Sequence, residues 1–156
     1  EGGKDREAVY RLYGSTLLGL VITGDFLFAF QLGDGDIVKV SESGVRHVIE
    51  ADKILGTETY SLSRAEAWKK AITLIRRREE NEQLPVMYML STDGLSNSYK
   101  NDGEFQKTCM DYYALLKEHG VKAVSGQLQT WLQETSEMGS GDDITALFFY
   151  EAAQGQ

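Results

Sequence analysis

The stretch Met87-Tyr88-Met89-Leu90-Ser91-Thr92-Asp93-Gly94 decides how the rest of the chain reads. An apolar run ends in small hydroxyl residues, then an acid, then glycine. That order predicts a buried strand that stops abruptly with a carboxylate at its tip. Glycine directly after the acid lets the backbone turn sharply and leaves the Asp93 carboxylate uncovered. Carboxylates on strand tips, held by a rigid sheet, are one way metal sites are built. The plainer alternative is that Asp-Gly simply ends a strand. Two further Asp/Gly clusters, Gly33-Asp34-Gly35-Asp36 and Gly141-Asp142-Asp143, weigh against it.

Upstream of that stretch, Leu17 to Thr23 reads as a strand, Gly24-Asp25 as a hairpin turn and Phe26 to Leu32 as the return strand. Phe26, Phe28 and Phe30 share one face; Leu27, Ala29 and Gln31 share the other. Both faces are largely apolar, which predicts cover on both sides. Ile37 to Val40 and Val45 to Ile49 continue the pattern across Glu42-Ser43-Gly44, so residues 14–49 read as one antiparallel meander. The first strand leaves Ser15 and the second returns, which puts Asp34 at the same sheet edge as Gly14-Ser15-Thr16. Residues 50–62 read as a loop. Ser63-Arg64-Ala65-Glu66 has the form of a capping box and predicts a short turn of helix. The next stretch stays open: Trp68, Ile72 and Ile75 fit a helical stripe, while residues 71–75 equally fit a strand pairing with Val86 to Ser91 across a polar loop, and a strand over 71–77 is the expectation.

Downstream, Phe105, Cys109, Tyr112, Tyr113 and Leu116 form one face of a helix ended by Gly120. Val124, Leu128, Trp131, Leu132 and Met138 form the face of a second, ended by Gly139. Core packing accounts for these aromatics. Asp142-Asp143 leads into a last strand, Ile144 to Tyr150, and the tail from Glu151 reads as loose.

The chain has 156 residues, 42% hydrophobic and 26% charged, which suits one globular domain. A net charge of −8 argues against a nucleic-acid partner, which would need a basic face. The one dense basic run, Arg76-Arg77-Arg78, is followed at once by Glu79 and Glu80. No apolar run is long enough for a membrane span, and the opening residues do not read as a signal peptide. A single cysteine cannot form an internal disulfide, so the expected setting is reducing and cytoplasmic.

Asp93 ends one strand and Asp142 precedes another. If those strands are antiparallel neighbours, both acids fall at one edge of one sheet, and Asp34 could face that edge from a second sheet. With His47, His119 and Cys109 placed elsewhere, the donors are oxygens, which suits Mg²⁺ or Mn²⁺ rather than zinc or copper. The alternative, that each acid caps its own turn, stays open. No G-x-S-x-G, P-loop or G-x-G-x-x-G motif competes.

Taken in order, Tyr13-Gly14-Ser15-Thr16-Leu17-Leu18, Leu32-Gly33-Asp34-Gly35-Asp36, Leu90-Ser91-Thr92-Asp93-Gly94-Leu95 and Gly141-Asp142-Asp143-Ile144-Thr145 resemble the PP2C (PPM) protein phosphatases of the bacterial branch. The resemblance covers residues 13–150. It implies an α+β fold, a sandwich of two antiparallel β-sheets flanked by helix pairs. It also implies hydrolysis of phosphoserine and phosphothreonine on phosphoprotein substrates by a water activated between two Mg²⁺ or Mn²⁺ ions. By position, Asp93 resembles a ligand of one catalytic ion and Asp142 a ligand of the other or of the shared site. Asp34 resembles an acid that helps bind a third, weaker ion. Gly94, Asp143 and Asn97 take supporting places.

The departures carry expectations of their own. Asp36 stands where the family often has arginine and Gly35 where it has serine. Asn97 replaces an acid that supports the third ion, and Asp143 stands where asparagine is common. The family's D-G-x-G motif, whose aspartate bridges the two ions, has no counterpart in these residues. The chain thus reads as the C-terminal two-thirds of the domain, with the missing N-terminal part of that domain as its expected partner. The alternative is an inactive regulatory or docking module.

Overall fold

A computed structural model describes residues 9–10, 12–50, 60–78 and 82–153. The chain divides into two units, one comprising residues 1–35 and 49–78 and the other residues 36–48 and 79–156. Each holds one antiparallel sheet.

The first unit contains β1 (Leu17–Ile22), β2 (Phe26–Leu32), a 3-10 turn (Ala67–Lys70) and β5 (Ile72–Arg77), with sheet order β1-β2-β5. The β1–β2 hairpin closes on Thr23, whose hydroxyl accepts from the backbone N–H groups of Asp25 and Phe26. Its register runs from Ile22↔Leu27 at the turn to Leu17↔Leu32 at the open end. Leu27, Ala29 and Gln31 are buried, whereas Phe26, Phe28 and Phe30 are only partly covered. The face carrying the phenylalanines also carries Val21 and Ile75, which are exposed.

The second unit contains β3 (Asp36–Ser41), β4 (Gly44–His47), β6 (Val86–Ser91), the short helix α1 (Asp93–Ser96), the long helix α2 (Asp102–Met138) and β7 (Ala146–Glu151). Its sheet order is β4-β3-β6-β7, antiparallel throughout. Strand β6 is paired on both sides, and every one of its residues is buried. That explains its continuous apolar run. Val38, Val40, Met87 and Met89 alternate onto the face that packs against Phe105, Cys109, Tyr112, Tyr113 and Leu116 of α2. Such side chains contribute about 1.5–3 kcal/mol each when fully removed from water. Helix α2 is broken at Gly120, whose φ of 77° takes the backbone out of the helix. Val124 beyond the break rejoins the same core, with Leu128, Trp131 and Leu132 half-buried against it.

Several expectations are corrected. The meander is not one sheet: β2 and β3 lie in different sheets, and Gly33–Gly35 is the crossing point. Residues 71–77 do form a strand, but β5 pairs with β2 through Phe28↔Ile75 and its neighbours, not with β6. The places beside β6 are taken by β3 and β7. Ser63–Glu66 is no capping box: the 3-10 turn starts after Glu66 with no side-chain cap. Met138 is 83% exposed and does not belong to the helix face. Strand β6 stops at Ser91, so Asp93 opens a helix rather than tipping a strand, and β7 begins at Ala146 rather than Ile144. The expected loop over 50–62 and the loose tail fall largely or partly outside the described residues. No described helix is long and apolar enough to cross a membrane.

Candidate metal centre

The β6–β7 ladder ends at Ser91↔Ala146. Thr92 carries it one step further. Its N–H donates to the Thr145 carbonyl at 3.0 Å, and its hydroxyl accepts from the Thr145 N–H at 3.0 Å. Asp93 follows directly, and Asp142-Asp143 precedes that tie with only Ile144 between. Antiparallel pairing thus brings Asp93 and Asp142 to one end of one sheet.

Gly94 is what lets the two segments close. A Cβ built at Gly94 would lie 2.6 Å from the Asp143 carbonyl oxygen and 3.4 Å from the Asp142 Cβ. The backbone of α1 therefore lies directly against the Asp142-Asp143 segment, with room for hydrogen only. A serine pair holds this closure. The Ser98 hydroxyl donates to the Gly94 carbonyl at 2.7 Å, and the Ser140 hydroxyl lies 3.0 Å from both that carbonyl and Ser98 Oγ. The Asp142 N–H donates to Ser140 Oγ at 3.2 Å, and Ser136 Oγ donates to the Asp142 carbonyl at 2.6 Å. Gly139 admits Ser98 in turn, since a Cβ there would meet the Ser98 Cβ at 2.5 Å. Sequence reasoning missed Ser98, Ser136 and Ser140; the Gly139-Ser140-Gly141 run was the available signal.

Each carboxylate is oriented locally. The Asn97 amide donates to Asp93 Oδ2 at 3.1 Å, one helical turn on. The Asp143 N–H donates to Asp142 Oδ1 at 2.8 Å, which turns the exposed Asp142 side chain back along its own loop. Asp143 is exposed as well. Asp34 belongs to the first unit, in the turn after β2. The Gln31 amide pins that turn by donating to the Gly33 and Gly35 carbonyls at 3.2 and 2.6 Å. Gly33, at φ 103°, abuts Thr16, so Asp34 does share an edge with Gly14-Ser15-Thr16.

The donors at the Asp93/Asp142 edge are carboxylate, amide and backbone oxygens, which fit a hard divalent cation in kind. Their number is smaller than a closed shell needs. Among the described residues no three His, Cys, Asp or Glu side chains come together to hold an ion.

A family model described as protein phosphatase 2C matches residues 2–133. The chain belongs to that family. No curated protein matches it. Solved PP2C-type structures share its fold at low identity. The serine/threonine phosphatase of S. agalactiae has a TM-score of 0.62 at 18% identity, over 95% of this chain and 67% of that one. The catalytic domain of the serine/threonine protein phosphatase PstP, in complex with 2 manganese ions, has a TM-score of 0.59 at 15% identity, over 94% and 65%. PppA, a regulatory component of T6SS in Pseudomonas aeruginosa, has a TM-score of 0.58 at 16% identity, over 93% and 64%. The chain thus spans about two-thirds of the length of each of these structures. The two antiparallel sheets with helices are the PP2C α+β architecture over that span.

Proposed function

We propose that this chain forms the Asp93/Asp142 part of a metal-dependent protein serine/threonine phosphatase. The observation that carries the proposal is the closure of Gly94 against Asp142-Asp143, which sets two carboxylates at one sheet edge. Asp93 and Asp142 would hold Mg²⁺ or Mn²⁺, with Asn97 fixing the Asp93 carboxylate and Asp143 turning Asp142. Asp34 is proposed for a third, weaker ion, and Gly94 and Asp143 support the Asp93/Asp142 pair. When bound, the ions supply an activated water for attack on phosphorus and neutralise charge on the phosphoryl oxygens. The remaining acids come, in this reading, from the part of the PP2C domain that these residues do not span. The 156 residues alone are expected to bind one ion weakly and to turn over little.

The small donor set favours a second reading, an inactive PP2C-like docking module. One assay separates the two. The natural full-length protein is given a phosphoserine or phosphothreonine peptide with Mn²⁺, Mg²⁺ or excess EDTA. The phosphatase reading expects metal-dependent release of phosphate. It also expects Asp93→Asn and Asp142→Asn each to lower kcat/KM by about 100-fold or more, the scale of removing one preorganised charge-stabilising group. Turnover that survives EDTA, or either variant at wild-type rate, counts against it. No turnover under any condition selects the docking module.

A further inference from the structure

His47, Asp36 and Asp102 come together on the helix-facing side of the second sheet, and no step of the proposed chemistry uses them. The Nδ1 atom of His47 lies 3.7 Å from Asp36 Oδ1, and its Nε2 lies 3.9 Å from Asp102 Oδ1. The second distance belongs to the opposite side of the ring. Asp36 is only 2% exposed, whereas the Asp102 side chain is 60% exposed. The ring is half-buried, with Phe105 beside it at 6.5 Å between centroids. Buried Cys109 on the same helix lies within reach of both acids. Its thiol is pushed up to about 12, first by burial and then by the charges of Asp36 and Asp102.

The places these acids occupy in the fold give the cluster its meaning. Asp36 is the register partner of Ser91, the last residue of β6. Asp102 is the first residue of α2, directly after the N-cap Asn101. Ser91 and Asp102 flank segment 92–101, which carries Asp93, Gly94 and Asn97. The imidazole therefore touches the strand neighbour of that segment's beginning and the residue at its end. A ring facing a carboxylate at each nitrogen directs an N–H at both only when both nitrogens carry hydrogen. The imidazole stands between two carboxylates, one of them buried, and so bridges two acids that could not link to each other directly.

We infer that His47 is a positioning residue: through Asp36 and Asp102 it ties the two ends of segment 92–101 together and so fixes Asp93. The tie itself stands on geometry. Its consequence for metal binding rests on the function proposed above.

The test uses the natural full-length protein and two readouts. Hydrogen exchange of the 92–101 amides, measured without metal, reads the tie alone. His47→Gln and Asp102→Asn are each expected to raise exchange there by about fivefold, the scale of one ion pair. The double variant should be no worse than either single, because both remove one link. Mn²⁺ titration reads the consequence. Each variant is expected to weaken Mn²⁺ binding by about tenfold, as outer-shell partners of a ligand do. Leu116→Ala removes core packing from α2 away from the link, so it should lower thermal stability yet leave Mn²⁺ affinity unchanged. If His47→Gln does not fold, Asp102→Asn decides, since that side chain is mostly in solvent. Unchanged exchange in Asp102→Asn, or additive effects in the double variant, overturns the tie. Leu116→Ala weakening Mn²⁺ as much as His47→Gln overturns its link to the metal site. A wild-type protein that binds no Mn²⁺ at all defeats the metal reading but leaves the exchange experiment to decide the tie.

Discussion

At Gly94 the space a side chain would take is already filled by the Asp143 carbonyl oxygen at 2.6 Å, a backbone atom that cannot rotate away. Gly94→Ala should therefore force α1 and the Asp142 loop apart. The expected cost is about 1–3 kcal/mol, as for other overpacked sites. Denaturant unfolding would read that cost, and Mn²⁺ titration should show weaker binding, since the displaced loop carries Asp142. A Gly94→Ala protein as stable and as metal-competent as wild type would show that the closure is not tight. This residue was legible because Asp-Gly after an apolar run is a local signal. Asp142 was legible for the same reason. Asp36 and His47 were not. Their meeting depends on Asp36 standing opposite Ser91 and on α2 starting over β4, and neither fact has a trace within a short window of sequence.

Among the elements, α2 shows what a cap does and how a sequence can mislead about it. Ser63-Arg64-Ala65-Glu66 has the pattern of a capping box, yet no cap forms there. The working one is at Asn101, whose side chain accepts from the Glu104 N–H at 3.0 Å, while Glu104 reaches back to the Lys100 N–H at 3.2 Å. The pattern was the same kind in both places; only the second precedes a helix with a large face to bury. Asn101→Ala should lower the stability of the fold by about 1 kcal/mol, read as a shifted urea midpoint with an unchanged m-value. No shift would mean that the α2 start is held by its packing alone. Strand β5 teaches a related lesson. Its apolar residues suited a helix as well as a strand; the expected strand forms, but strand propensity carries no address. Its partner is β2 because β6 already has β3 and β7 on its two sides.

Over the whole molecule, the two-sheet division at Gly33–Gly35 was hidden because a hairpin turn and a crossing between sheets use the same glycine and aspartate residues. The PP2C family architecture was legible all the same, since the motifs keep their order whichever sheet each strand joins. The core of the second unit makes a further property testable. Cys109, Tyr112 and Tyr113 are buried together against the second sheet. Burial is the leading cause in each case, and it pushes all three up to about 12 from ordinary values of 9.0 for the thiol and 10.0 for the phenols. Neighbouring charge adds to it, from Asp36 at Cys109 and from Glu42 at Tyr113. The unfolded chain therefore loses these protons first as pH rises. Folding stability should be intact below about pH 9, fall progressively above it, and be lost as the folded groups ionise near pH 12. Urea midpoints measured from about pH 8 to about pH 11 should decline, and Cys109→Ala should flatten the earliest part of the decline because its thiol ionises first when unfolded. A midpoint that stays level to about pH 11 would show that these groups are not held neutral by the fold. An undiminished slope in Cys109→Ala would move the effect to the two tyrosines.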